Sequence, residues 1–237
     1  MRLYQYFQNG IPWYLARHYW WAYLWSVSVS FFDHQTIINA ILFGQYNRLM
    51  RVTLNRVKEA PQSQVLQLTS VYGSLTPTLV DTIAPNPIHL MDAAQIQLDH
   101  TAAKVPDQNK LLLCRMNAEY LAYKNDAFSL IILFFLLHEM PPEARKNVYN
   151  ESIRTLKSGG QIIITEYGHL PKHHFLYRVP IFRWILTKLE PFLESFWQED
   201  VEKHLSHAAK GNNKEIAMIS QTDIFNGFYR VMTFQVK

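Results

Sequence analysis

The chain alternates between two hydrophobic periods. From about residue 60 onward, short apolar runs bounded by polar or turn residues alternate with stretches whose apolar positions recur every three or four. The runs predict strands at Val65–Thr69, Ile88–Asp92, Leu111–Cys114, Phe128–Leu137 and Gln161–Glu166. The intervening stretches predict helices over Thr76–Ile83, Ala94–Lys104 and Pro142–Leu156. Pro85 and Pro87 close the first, Pro142 suits a first helical turn, and Gly159-Gly160 suits an exit. The unbroken run Leu130–Leu137 fits a strand buried on both faces. Strands alternating with helices predict an α/β doubly wound, mostly parallel sheet with right-handed crossovers. Glu215–Ser220 and Phe228–Val236 flank Asn226-Gly227 and predict an antiparallel closing pair. The expected sheet therefore has seven strands, mostly parallel, with an antiparallel C-terminal strand.

The first 60 residues follow a different pattern. Residues 12–46 read as two or three short helices, with Trp13, Arg17, Trp20, Trp21 and Leu24 at near-helical spacing. A later helix is expected from Thr36 to Lys58. Four of the six Trp fall here (Trp13, Trp20, Trp21, Trp25), among Tyr4, Tyr6, Phe7, Tyr14, Tyr19, Tyr23, Phe31 and Phe32. Six basic residues against two acidic ones put the whole net charge of +4 in this quarter. An aromatic stripe at helical spacing packs as a lid, while Trp, Tyr and basic residues also suit a membrane–water interface. The two readings are compatible. The expected division is a helical lid and membrane-contact segment at 1–60 and an α/β domain at 61–237, with a helical insertion at about 170–207.

Composition narrows the class. A length of 237 residues fits one α/β domain with an extra segment. An apolar fraction of 49% excludes disorder, and 8 Gly with 11 Pro exclude a collagen-like chain. The lone Cys114 leaves no internal disulfide and no cysteine zinc cluster. The eight-residue run Leu130–Leu137 is far below a membrane span, and no compact apolar leader with a small-residue cleavage site is present. A soluble or peripheral protein is expected. Basic residues interleaved with Trp, without a basic helix, argue against nucleic acid.

In such a sheet, ligands bind beyond the carboxyl ends of the strands, where strand order reverses. The residues expected there are Thr69 to Gly73, Asp92, Asn117, His138-Glu139 and Glu166-Tyr167. An acid ending the second strand can accept both hydroxyl hydrogen bonds of a ribose, or cap the next helix. Asn117 can donate and accept at an adenine edge, or hold a turn. His138 can act as a base near neutral pH or as a metal ligand.

The segments VLQLTSVYG (65–73), HLMDAA (89–94), RMNAEYLAYKNDAFSLIILFFLLHEMP (115–141) and LKSGGQIIITEY (156–167) resemble class I S-adenosylmethionine-dependent methyltransferases over roughly residues 60–237. That resemblance implies a Rossmann-like fold and S-adenosylmethionine at Thr69, Val71, Gly73, Asp92, Ala93, Asn117 and Ala118. The first loop departs from the pattern. The superfamily has an acid where Gln67 stands, glycines at Thr69, Val71 and Gly73, and a small residue at Tyr72; Gly73 alone remains. The sulfonium ligand must then sit differently, or the site performs another reaction.

IPWYLARHYWWAYL (11–24) with LQLTSVYGSLTPTL (66–79) resembles the rhodoquinone biosynthesis methyltransferase-like proteins, the RquA family. The resemblance implies conversion of ubiquinone to rhodoquinone, a ring methoxy group giving way to an amino group. It further implies S-adenosylmethionine as amino donor, Mn²⁺ as helper, and a peripheral place on the cytoplasmic face of the inner membrane, or the matrix side in a mitochondrion. On this reading His138, Tyr72 and Glu139 are the catalytic candidates, and Glu166 with His169 the metal candidates. Two alternatives stand beside it: a conventional methyltransferase acting on a quinone or lipid acceptor, and a non-catalytic lipid-binding scaffold.

Overall fold

A computed structural model describes residues 10–237; Arg2, Tyr4, Tyr6 and Phe7 of the aromatic segment lie outside the described residues. Among the described residues, a π-helix (Leu15–Tyr19) and four α-helices precede the sheet: α1 (Trp20–Tyr23), α2 (Ser26–Phe32), α3 (Gln35–Ile41) and α4 (Tyr46–Glu59). Then come β1 (Val65–Leu68), α5 (Leu75–Ile83), β2 (Ile88–Asp92), α6 (Gln95–Lys104), β3 (Leu111–Arg115), β4 (Phe128–Phe134), α7 (Pro142–Thr155) and β5 (Leu156–Tyr167). An insertion follows, made of α8 (Phe175–Arg178), α9 (Pro180–Leu189), α10 (Leu193–Trp197) and α11 (Val201–Gly211), before β6 (Ile216–Ile224) and β7 (Tyr229–Val236).

The sheet has seven strands in the order β3-β2-β1-β4-β5-β7-β6. Strands β1 to β5 are parallel, and β7 runs antiparallel to both β5 and β6. This is the expected Rossmann-like fold. Every residue of β1 and β4 is buried. Successive strand side chains point to opposite faces, so unbroken burial means that both faces are covered. Strand order reverses between β1 and β4, and a crevice opens beyond their carboxyl ends.

Three element boundaries depart from the sequence reading, each for a local backbone reason. The expected helix Thr36–Lys58 is two helices, broken where Phe43 and Gly44 take φ of 51° and 77°. The Gly44 N–H reaches back to the Asn39 carbonyl at 2.7 Å, a left-handed helix stop. Beyond the break, α4 turns Tyr46, Leu49, Thr53 and Val57 into the core. Strand β4 stops at Phe134, because Phe135 is left-handed at φ 55°, and Leu137–Glu139 forms a 3-10 turn. That turn places His138 and Glu139 over the strand end. Lastly, Gly159-Gly160 lies inside β5, which starts directly after α7 at Leu156.

The N-terminal helices form a lid latched to the loop after β1 and to α6. Asp33 accepts from the Gly73 N–H at 2.7 Å, from Lys104 Nζ at 2.6 Å and from His100 Nε2 at 2.9 Å. Among the described residues no helix is long and apolar enough to cross a membrane.

Candidate active site

The loop after β1 keeps a glycine's backbone without the glycine. Thr69 sits at φ 69°, a conformation costing an L-residue roughly 1–2 kcal/mol. Gln67 holds it there. Its fully buried amide donates to the Thr69 carbonyl at 2.9 Å and exchanges hydrogen bonds with the Thr76 hydroxyl. An acid at position 67 would present lone pairs to that carbonyl, so the neutral amide fits this strained loop better.

The rest of the loop turns from the expected cofactor role toward the lid. Gly73 lies in the left-handed region at φ 79°, and a Cβ there would meet the Tyr46 hydroxyl at 2.6 Å. Its N–H is taken by Asp33. Tyr72 stacks on Tyr23 with ring centroids 5.6 Å apart. The Tyr72 hydroxyl donates to the Ala22 carbonyl at 2.6 Å and accepts from Gln97 Nε2 at 2.9 Å. Gly73 therefore anchors the lid, and Tyr72 anchors it too while its ring lines a pocket; neither offers a free polar group to a cofactor. Val71 lines the second of the two pockets described below and not the first.

Two pockets meet at the switch point. The first is walled by Thr69, Asp92, Ala93, Asn117 and Ala118, and roofed from the lid by Pro12 and Tyr14. Asp92 ends β2 and is almost fully buried. Its oxygens accept from the Ser70 N–H at 2.9 Å and the Ala94 N–H at 2.8 Å. Burial pushes its pKa up to about 6, against the pull of those backbone donors. Each carboxylate oxygen retains a lone pair, so turn-holding and ribose binding are both open to Asp92. The Asn117 side-chain amide is engaged with Glu119, accepting from its N–H at 2.9 Å and donating to its carboxylate at 3.3 Å. Glu119 also accepts from the lid's Tyr14 hydroxyl at 3.2 Å. These residues fit the sugar and base of an adenine nucleoside through a carboxylate at a strand end, not through a glycine cradle.

The second pocket, about 580 Å³, is mostly apolar, with Ile38, Leu42, Val71 and Phe134 among its walls. Tyr23, Ser70, Phe135 and Glu139 line both pockets. Its polar floor is His138, Glu139 and Glu190. His138 is 3% exposed, and its Nδ1 lies 3.0 and 3.2 Å from the two oxygens of Glu166. Glu166 is fully buried and also accepts from the Leu137 N–H at 2.7 Å and the Tyr167 N–H at 3.1 Å. His138 Nε2 faces Glu190 at 3.8 Å and Glu139 at 4.0 Å, too far for a hydrogen bond. From the lid, Tyr23 donates to Glu139, and Tyr19 donates to Glu190 at 2.9 Å.

Electrostatics reassign the proton. Burial disfavours the His138 imidazolium, yet Glu166, Glu190 and Glu139 outweigh it and raise the pKa to about 9. Burial likewise raises Glu139 and Glu190 above the usual carboxylate range. Without a bound cation, His138 holds its proton at neutral pH and donates. His138 is then a poor base, Glu139 is pushed up to about 8 and becomes an acceptor as pH rises toward that value, and the place of His138 as a metal ligand is untouched.

The structure does not bring Glu166 and His169 together as cation ligands. Glu166 is committed to backbone N–H groups and to His138. His169 Nε2 sits 3.0 Å from the Arg230 guanidinium, which repels a cation. The group whose ligand atoms lie within 4.8 Å of one another, among the described residues, is His138, Glu139 and Glu190. Glu190 went unnoticed in the sequence, as did Tyr19 and Tyr23 as hydrogen-bond donors. A lone acid between the apolar stretch of α9 and Pro191-Phe192 was the available signal for Glu190.

Residues 25–221 match the ubiE/COQ5 methyltransferase family. A demethylmenaquinone methyltransferase of Lactiplantibacillus plantarum is 25% identical over 176 residues, spanning 73% of this chain and 72% of that protein. Among solved structures, the N-methyltransferase NodS of Bradyrhizobium japonicum superposes with a TM-score of 0.55 at 11% identity, covering 83% of this chain and 96% of that one. The geranyl diphosphate C-methyltransferase of Streptomyces coelicolor gives 0.52 at 10% identity, covering 80% and 77%. The [4+2]-cyclase SpnF gives 0.55 at 14% identity, covering 79% of each chain. At these identities the solved structures speak for the fold alone, and a cyclase among them shows that the fold does not dictate the reaction. With most of its length matched, the chain belongs to the ubiE/COQ5 methyltransferase family of S-adenosylmethionine-dependent class I enzymes.

Proposed function

We propose that the protein transfers a methyl group from S-adenosylmethionine to a quinone-class ring in its reduced, hydroxyl-bearing form. One observation carries this reading. A cleft with a carboxylate at the β2 end shares Tyr23, Ser70, Phe135 and Glu139 with an apolar pocket floored by ionisable groups. Bound S-adenosylmethionine supplies an electrophilic methyl group. Asp92 holds its ribose hydroxyls, and Thr69, Ala93, Asn117 and Ala118 enclose the nucleoside. Ile38, Leu42 and Phe134 take the apolar ring. An ionised Glu139 or Glu190 accepts the ring hydroxyl proton, and the His138 imidazolium, held by Glu166, stabilises the resulting oxyanion. The adjacent ring carbon takes the methyl group as S-adenosylhomocysteine leaves, and the hydrogen on that carbon departs as a proton to restore the aromatic ring. An acceptor of this class places the protein peripherally at a quinone-bearing membrane, on the cytoplasmic face of the inner membrane or on its matrix counterpart.

A second reading, exchange of a methoxy group of ubiquinone for an amino group, is favoured by the floor of the pocket. Nitrogen and carboxylate oxygen donors suit Mn²⁺. Gaps of 3.8 and 4.0 Å are too long for hydrogen bonds, yet fit two ligands about 2.0–2.2 Å from one ion. Glu166 on Nδ1 leaves Nε2 facing that space once its proton gives way. His138, Glu139 and Glu190 therefore fit the ion, which would supply Lewis-acid polarisation of quinone oxygens.

Purified protein incubated with ubiquinone or with a reduced ring-unsubstituted quinone separates the readings. S-adenosylmethionine labelled at the methyl carbon or at the α-amino nitrogen is supplied, with and without Mn²⁺. Methyl label in the ring product supports the first reading. Nitrogen label with loss of a methoxy group supports the second. Unlabelled quinone in every arm defeats both and leaves the scaffold.

A further inference from the structure

Helix α9 turns its apolar stripe outward. Ile181, Ile185 and Leu189 recur one turn apart and are 56%, 38% and 49% exposed. Phe182 and Trp184 flank them, while Leu186 is the residue of α9 that is buried. A surface helix of a globular domain ordinarily buries such a stripe. The exposed cation Lys188 lies inside this stripe and Arg178 just before the helix, while Arg183 projects from the opposite side, where it pairs with Glu194 at 3.6 Å. The lid carries a second exposed patch, in which Trp13, Trp20 and Trp25 are about half exposed.

The two patches belong to one rim. Tyr19, beside Trp20, bonds Glu190, the residue that closes α9. The rings of Trp13 and His18 contact Phe192, two residues further on. Glu190 and the lid's Tyr23 line the apolar pocket, so the rim borders the site.

We infer that α9, with the lid tryptophans, docks the protein on the surface of a bilayer containing anionic lipid. Ten residues of helix span about 15 Å, too short to cross the hydrocarbon core, so α9 lies in the interface plane. Tryptophans favour that depth. Lys188 and Arg178 complement anionic headgroups. A copy of the chain or another protein is the poorer occupant, because protein interfaces exclude lysine from their centres, and Lys188 sits inside this patch. The inference rests on the peripheral membrane placement proposed above, to which it adds the docking surface and the lipid charge, and it holds for either transfer.

The test is co-sedimentation of the full chain with vesicles of phosphatidylcholine containing about 30% phosphatidylglycerol, against pure phosphatidylcholine. The wild-type chain is expected to sediment with the anionic vesicles and several-fold less with the neutral ones. An Ile185→Glu, Leu189→Glu double variant is expected to lose at least about tenfold in partitioning. Both positions are exposed, so its thermal midpoint and S-adenosylmethionine affinity should match wild type, which separates lost docking from lost folding or function. An Arg178→Gln, Lys188→Gln variant should lose the preference for anionic vesicles. Three outcomes would overturn the inference: wild-type chain left in the supernatant, a double variant that sediments like wild type, or a wild-type dimer in light scattering that the double variant dissolves.

Discussion

The two sides of the switch point are built on opposite principles. On the β1–β3 side, Asp92 accepts from the backbone N–H groups of Ser70 and Ala94, and Glu119 accepts from the Asn117 amide and the lid's Tyr14. On the β4–β5 side, Glu139, Glu166 and Glu190 crowd one imidazole in a buried pocket, with lid tyrosines donating to Glu139 and Glu190. The first side suits holding a nucleoside in place. The second holds and moves protons, or a cation, against an apolar wall. Changes on one side should therefore affect affinity, and changes on the other should affect turnover.

The largest expected effect tests that division directly. His138→Ala should lower kcat by about 10²–10⁴-fold in the label-transfer assay and leave S-adenosylmethionine affinity unchanged in calorimetry. Equal loss of both would break the comparison. Asp92→Ala should do the converse, weakening S-adenosylmethionine binding by about 10–150-fold, as expected for loss of a charged hydrogen-bond acceptor.

Next comes the lid. Tyr23→Phe removes a donor to Glu139 that favours its ionised form. The carboxyl pKa then rises further, so less of it is ionised at neutral pH. The acid limb of the pH–rate profile should move to higher pH, with kcat at neutral pH reduced about two- to tenfold and recovered at alkaline pH. An unmoved limb would remove Glu139 from the proton-accepting role. The smallest effect is on stability. Thr69→Gly relieves the left-handed strain, and a gain of about 1 kcal/mol is expected in urea unfolding. A loss instead would mean that the Thr69 side chain contributes packing that outweighs the strain.

Much of the fold was legible because its signals are local. The run ending at Phe134 marks a strand buried on both faces, and Ile88–Asp92 falls where the pattern places it. What escaped were backbone reversals at Phe43-Gly44 and Phe135, where a residue other than glycine takes a positive φ under tertiary pressure. Part of the first pocket was legible for the same local reason: Asp92, Ala93, Asn117 and Ala118 follow strand ends and line it. Gly73 and Tyr72 follow a strand end too, yet the lid claims them, and no local signal reports where Asp33 or Ala22 will lie.

By itself, then, the sequence determined the seven-stranded α/β scaffold, the crevice at its switch point and the carboxylate that ends β2, since each rests on periodicity and on residues close in the chain. The tertiary structure alone decided the floor of the second pocket. Tyr19, Tyr23, His138, Glu166 and Glu190 come from four separate segments, and long-range packing alone determines which carboxylate faces which side of one imidazole. In a buried setting, where Coulomb interactions are strong, that placement also determines who carries the proton.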